Sequence, residues 1–261
     1  MKLTVLGTGT VAPSARRTAA AHWVSTGSVR ILLDCGAGTL HRAATFGVPW
    51  SDVTHVALTH FHLDHWGELP MLLFALRWGV EPARSKRLQL IGPVGLSTRL
   101  RHLSDALGSW VAEPEFPLEI HELRPGDDFA LGEDVVLESY KTEHTEESLA
   151  YAVRDSTARM VYTGDTGPSE PLADWAHGCD LLLSECSLPD DRAIATHLTP
   201  TQAGRLARRA KAHRLVLTHL YPPVEKVDPA AQAAAIFEGE VTVAEDGDRF
   251  TVGTGAAESE T

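Results

Sequence analysis

The sequence predicts an α/β fold built as one domain, on three observations. Short apolar, β-branched runs alternate with helix-like runs along the whole chain, the trace that strand–helix units leave. At 261 residues the chain can bury a sizeable core. Chemistry-bearing residues also recur just past the ends of predicted strands, where sites assemble in α/β proteins.

Taken in order, Leu3–Leu6 is a first strand ending in Gly7-Thr8-Gly9-Thr10, Ala21–Val24 a second and Val29–Leu33 a third, closing at Asp34. Gly36 and Gly38 form a tight entry to a helix through Leu40–Ala44. Gly7-x-Gly9-x-x-Ala12 after a strand resembles a dinucleotide fingerprint. Pro13 and the strand at Trp23-Val24 leave little room for the crossover helix that fingerprint needs. Val53–Leu58 reads as a buried strand and Met71–Trp78 as a helix. Between them stands Thr59-His60-Phe61-His62-Leu63-Asp64-His65.

Leu88–Ile91 is a strand, followed by a turn and a helix to Leu107. Residues 111–134, rich in Pro and acidic side chains, read as connecting structure with short strands. Asp134–Tyr140 is a strand with His144 just beyond it. Leu149–Val153 pairs with Arg159–Thr163, which ends in Gly164-Asp165. Asp180–Ser184 ends at Glu185, and Leu215–Thr218 ends at His219. Thr199, Pro200 and Gln202 spell a helix start with a reciprocal cap, the helix running to Ala212. His197 stands two residues ahead of it, where free N–H groups at a helix start attract anions. Asp228-Pro229 opens a last helix. Val241–Val243 and Arg249–Val252 read as a hairpin about Asp246-Gly247. Residues 1–252 are expected to form the domain, and 253–261, small and polar, a disordered tail.

The crowded strand-to-helix turn carries the chemistry. Neutral imidazoles and carboxylates are ligands for zinc, iron and manganese. One ion cannot use all four side chains of so short a loop, whereas two ions can. With the later residues the set closes: His60, His62 and His144 on one ion, Asp64, His65 and His219 on the other, and Asp165 bridging them through its two oxygens. Two ions about 3.5–4 Å apart acidify a shared water and clamp attacking and leaving oxygens, so no activated Ser or Cys is required.

Composition narrows the rest. A net charge of -12 argues against a general nucleic-acid coat, since phosphate contacts need Lys and Arg. It leaves a small phosphate ester open, because metal ions supply local positive charge. Cys35, Cys179 and Cys186 are odd in number and sit in apolar runs, which reads as buried free thiols. No stretch is apolar and long enough to span a membrane. Met1 leads straight into a strand without a signal segment, so a cytoplasmic location is expected.

The order H-x-H-x-D-H, His144, Gly164-Asp165, His219 resembles the metallo-β-lactamase superfamily, and within it the ribonuclease Z-like branch, which includes atypical cyclic-nucleotide phosphodiesterases. Leu6–Gly9, Leu69-Pro70, Gly92-Pro93-x-Gly95, Thr163–Thr166, Glu185 and His197-Leu198-Thr199 add to the likeness. The resemblance implies a four-layer αββα sandwich as a single domain, two divalent ions (zinc, with manganese or iron as alternatives) and a metal-bridging hydroxide as nucleophile. It implies that His197 contacts the scissile phosphate and protonates the leaving oxygen, that Glu185 orients His197, and that Asp64 helps position the hydroxide. Asp34 is expected to brace the metal loop. Relatives are often dimers, which leaves a homodimer open.

Three departures matter. Transfer-RNA-processing members carry a long Gly-rich arm between the third metal His and the bridging Asp, and here one hairpin fills that interval. Their P-x-K-x-R-N loop becomes Pro13-Ser14-Ala15-Arg16-Arg17-Thr18, without the Lys and the Asn. Glu68 stands where many members have Gly. The expected activity is therefore hydrolysis of a small phosphodiester such as a cyclic nucleotide. The competing readings are a ribonuclease Z-like nuclease, a lactonase or thioesterase on the same metal core, a nucleotide-binding module on Gly7-Thr8-Gly9, and an inactive relative; the last is disfavoured because all seven ligand positions are filled.

Overall fold

The structure, a computed structural model, describes residues 1–253. The expected tail falls, except for Gly253, outside the described residues. The chain forms β1 (Lys2–Gly7), β2 (Ala21–Thr26), β3 (Val29–Leu33), α1 (Thr39–Thr45), β4 (His55–Ala57), α2 (Leu63–Trp66), α3 (Leu69–Trp78), β5 (Leu88–Pro93), α4 (Leu96–Leu107), β6 (Leu118–Leu123), β7 (Asp128–Ala130) and β8 (Val136–Lys141). It continues with β9 (Leu149–Arg154), β10 (Arg159–Tyr162), α5 (Glu170–Trp175), β11 (Leu181–Glu185), α6 (Pro200–Ala210), β12 (Arg214–Thr218), α7 (Pro229–Ala234), β13 (Glu240–Val243) and β14 (Arg249–Thr251).

Two seven-stranded sheets result, ordered β14-β1-β2-β3-β4-β5-β6 and β13-β12-β11-β10-β9-β8-β7. Each has parallel strands on one side and antiparallel strands on the other. They face each other across a core of Leu3, Val24, Ile31, Leu137, Tyr151, Met160 and Leu183 among others. The first sheet's outer face packs on α1, α3 and α4, the second's on α5, α6 and α7. That is the four-layer αββα sandwich expected. Central strands such as β9 and β11 are buried on both faces, hence their unbroken apolar runs.

Two readings are corrected. Val241–Val243 and Arg249–Val252 do not form a hairpin. β13 pairs with β12 in the second sheet and β14 with β1 in the first, so the chain crosses between sheets there. Asp246 directs the crossing, accepting from the backbone N–H and hydroxyl of both Thr8 and Thr18. The Gly7-x-Gly9 fingerprint serves the chain itself. β1 runs into an antiparallel β2, and a Cβ at Gly7 would lie 1.9 Å from the Ala19 carbonyl oxygen. The glycines admit the 17–19 loop, which leaves the nucleotide-binding reading without its crossover helix.

The helix at Pro200 starts as anticipated, with Thr199 accepting from Gln202 N and the Gln202 side chain accepting from Thr199 N. The three cysteines are buried free thiols. Two short helices have no counterpart in the sequence expectations: α2, which carries Asp64 and His65, and α5.

Candidate metal centre

The site lies on the seam between the sheets, at the ends of four strands. β4 ends at Ala57, β8 at Lys141, β10 at Tyr162 and β12 at Thr218, and His60, His144, Asp165 and His219 follow within three residues. Cross-sheet bonds lock the seam. Leu149 N donates to Thr59 O at 3.0 Å, and the Tyr151 hydroxyl donates to Leu58 O at 2.8 Å.

All seven residues expected as ligands come together. His60, His62, His144 and Asp165 form one group that could hold an ion, Asp64, His65 and His219 a second, and Asp165, His197 and His219 a third that overlaps both. His62 Nδ1 lies 3.1 Å from His60 Nε2 and 3.1 Å from His144 Nε2. His65 Nε2 lies 3.2 Å from His219 Nε2. Nitrogens about 2.0–2.1 Å from one tetrahedral ion stand roughly 3.3 Å apart, so these spacings suit shared coordination. Asp165 is turned to serve both groups. Its Oδ2 is 3.8 Å from His60 Nε2 and 3.6 Å from His144 Nε2, its Oδ1 3.3 Å from His65 Nε2 and 3.4 Å from His219 Nε2. Buried Oδ1 has no hydrogen-bond partner, an orphan that a cation would satisfy. Asp64 Oδ2 is 3.5 Å from His219 Nε2.

The electrostatics agree. Burial opposes ionisation of Asp165, but His219, His65 and His60 hold its carboxyl well below the usual range. Asp64 is likewise brought down to about 2, burial being outweighed by His219 and His65. His60 is kept neutral by burial and by His65, as a ligand must be. His65 alone is pushed well up: burial disfavours its charge, but Asp165 and Asp34 demand a cation between them. The residues present fit divalent metal ions.

Four of the five histidines are held through their second ring nitrogen, which fixes tautomer and aim. His60 Nδ1 meets the Thr59 hydroxyl at 3.0 Å, His65 Nδ1 meets Asp34 at 2.8 Å, His144 Nδ1 the Thr196 carbonyl at 3.0 Å and His219 Nδ1 the Ser187 hydroxyl at 2.9 Å. Asp34 also accepts from Thr59 N and the Tyr162 hydroxyl, the bracing expected of it. Ser187, Thr196 and Tyr162 were not legible in the sequence, since each acts through a contact distant along the chain.

His197 stands over the cluster. Its ring centroid is 4.9 Å from that of His144 and 5.8 Å from that of His219, stacked on the latter, and its Nδ1 is 4.0 Å from Asp165 Oδ2. That nitrogen donates to Glu185 at 3.0 Å. Burial disfavours its protonation, but the Glu185 bond and charge outweigh it, so the imidazole's pKa is raised. Glu185, fully buried, also accepts from Thr166 N, Leu198 N and the Ser187 hydroxyl. One carboxylate thus holds His197 directly and His219 through Ser187. The Tyr221 ring lies 5.9 Å from that of His219.

Fold and site together define a metallo-β-lactamase-type, metal-dependent hydrolase. Residues 29–220 match the beta-lactamase superfamily domain, and the chain belongs to that family. It is 33% identical over 310 aligned residues to a protein named Ribonuclease Z from Myxococcus xanthus, covering 97% of each chain. Among solved structures it is similar to the metallo-beta-lactamase fold protein YhfI of Bacillus subtilis, with TM-score 0.82, 26% identity and coverage of 95% of this chain and 98% of that one. It is similar also to the short form of human tRNase Z, with TM-score 0.79, 26% identity and coverage of 97% and 99%. The Myxococcus alignment is longer than this 261-residue chain, so that relative carries segments with no counterpart here. Among the described residues no helix is long and apolar enough to cross a membrane.

Proposed function

We propose that the chain is a dinuclear phosphodiesterase. The observation that carries this reading is the pairing of a two-faced Asp165 with His197, whose Nδ1 is tied to Glu185. His60, His62 and His144 would hold one ion, Asp64, His65 and His219 the other, with Asp165 between them. Zinc is the proposed metal and manganese or iron the alternatives, on the mixed nitrogen and oxygen donors. When bound, the pair supplies a water ionised near neutral pH and positive charge for the developing phosphorane.

The chain's own residues do the rest. His197, whose pKa the Glu185 carboxylate at its Nδ1 raises, contacts the phosphate and, in its protonated form, hands the proton on its Nε2 to the departing alkoxide. Glu185 keeps that ring aimed. Asp64, anionic and 3.5 Å from His219, orients the attacking oxygen. A lactone or thioester is neutral and has no phosphate anion for His197 and the start of α6 to contact.

Two substrates compete. Cleavage of RNA has the names of the relatives in its favour. A small diester, with a cyclic nucleotide as one case, has the local geometry. Where an RNA-gripping arm would stand, β9 and β10 close through a short turn at 155–158. Near the His144 loop, Glu143 and Glu146 are exposed, whereas Lys141 Nζ is turned inward onto the Thr142 and Thr145 carbonyls. Arg16 and Arg17 are both paired with Glu225. A polyanion needs free cations along its track.

The test is hydrolysis of bis(p-nitrophenyl) phosphate, cyclic nucleotides, a 3′-extended transfer RNA and a lactone by one metal-loaded preparation. Diester turnover, lost by about 10²- to 10⁴-fold in His197→Ala with metal content unchanged, is the expected result. Preferred lactone turnover rejects the phosphodiesterase. Preferred cleavage of the transfer RNA moves the assignment to the nuclease.

A further inference from the structure

Among the five histidines of the cluster, one lacks the support the others have. His60, His65, His144 and His219 each bond a protein group through the ring nitrogen that faces away from the cluster. His62 faces the cluster with Nδ1. Among the described residues nothing pairs with its Nε2, and the residue is exposed. A ligand held by no second contact must be aimed by its backbone.

The backbone on its N-terminal side is Phe61, and that ring is clamped. The Arg99 guanidinium carbon sits 3.9 Å from its centroid, within cation–π range, and Trp66 meets its edge with centroids 5.6 Å apart. Arg99 comes from the first turns of α4, on the first sheet's outer side, and its Nη1 also reaches the Gly95 carbonyl. Its other terminal nitrogen lies 3.7 Å from Glu147 Oε1. Glu147 is three residues past His144, on the loop that leaves β8 of the second sheet. One side chain thus spans two loops from different sheets, and these loops supply His60, His62 and His144.

Resting on the two-ion reading above, we propose that Arg99 is a positioning residue for one ion only, registering the His60–His62 turn against the His144 loop. Asp64, His65 and His219 do not depend on it, because Asp34 and Ser187 already hold the two histidines.

The experiment is titration of the chelator-stripped protein with Zn²⁺ against a chromophoric competitor, for the parent, Arg99→Gln and Phe61→Leu. Each substitution is repeated in a His219→Ala background, which keeps the His60/His62/His144 group, and in a His62→Ala background, which keeps the other. Arg99→Gln should weaken one of two ions roughly tenfold, the size expected for an outer contact. The loss should appear in the His219→Ala background and vanish in the His62→Ala background. Phe61→Leu should match it, and the double variant should lose no more than either single one. If Arg99→Gln folds poorly, Glu147→Gln removes the other anchor and should show the same one-sided loss. Parent affinities in Arg99→Gln, or equal weakening of both ions, overturn the assignment while leaving the two-ion site standing. A parent that takes up only one ion overturns both.

Discussion

The Tyr162 hydroxyl donates to Asp34 Oδ2 at 2.8 Å, tying the end of β10 in one sheet to the residue just past β3 in the other. Asp34 in turn accepts from His65 Nδ1. Both Tyr162 and Asp34 are buried, so the bond works without competition from water. Tyr162→Phe removes one bond to a buried carboxylate, which costs about 1.5–3 kcal/mol. It should lower the denaturation midpoint and weaken zinc at the Asp64/His65/His219 group roughly tenfold. Chemical denaturation and zinc titration check this; an unchanged midpoint would show that the hydroxyl contributes nothing across the seam.

Removing the metal should destabilise the fold without abolishing it. The core between the sheets is apolar and independent of the site, whereas the ligands repel or desolvate one another once bare. A chelated sample should melt cooperatively at a lower temperature, and added zinc should restore the difference in proportion to the logarithm of its free concentration. Asp165→Asn should bind fewer ions and lose activity on the order of a thousandfold or more, several kcal/mol of charge stabilisation at about 1.4 kcal/mol per decade. Calorimetry and metal analysis read both outcomes, and full activity in Asp165→Asn would exclude a bridging carboxylate.

His22 should make the protein acid-sensitive. It is fully buried against the Tyr162 ring, neither ring nitrogen has a partner, and burial, helped by His65 and His219, lowers its pKa to about 3. The folded value is below the unfolded 6.5. This group's contribution is therefore intact above pH 6.5 and is lost as pH falls toward 3, because only the unfolded chain takes up the proton. The slope is about 1.4 kcal/mol per pH unit within that window. His22→Leu should flatten the decline by that amount and raise stability at pH 7 by removing two desolvated nitrogens. Parallel denaturation curves from pH 7 to 4 for parent and variant would count against it.

Glu68 should prove structural. Its carboxylate accepts from the backbone N–H groups of Gly38, Thr39 and Leu40 at the start of α1, and its own N–H donates to the Cys35 carbonyl. The Glu68→Gly substitution strands those donors and should cost about 1.5–3 kcal/mol. With Cys35 N bonded to the His65 carbonyl, the loss should loosen the metal turn as well. A midpoint shift in urea below about 0.5 kcal/mol would contradict this.

The convergence of these side chains was legible because three imidazoles and a carboxylate in one turn have few other uses, and because His144, Asp165 and His219 share one address at strand ends. The capped start of α6 was legible for a local reason: Thr199, Pro200 and Gln202 satisfy one another within four residues. The C-terminal hairpin was misread on equally local grounds. Asp246-Gly247 has the look of a turn, but Asp246 is engaged by Thr8 and Thr18, more than two hundred residues away.

By itself the sequence determined the alternation of strands and helices and the identity of seven converging side chains, since these follow from periodicity, spacing and the donor chemistry of each residue. Only the tertiary structure decided which groups hold the ligands in aim. Tyr162 on Asp34, Ser187 on His219, the Thr196 carbonyl on His144 and Arg99 over Phe61 are bonds across the seam or between loops. Their strength depends on burial and angle, which exist only once the two sheets are stacked.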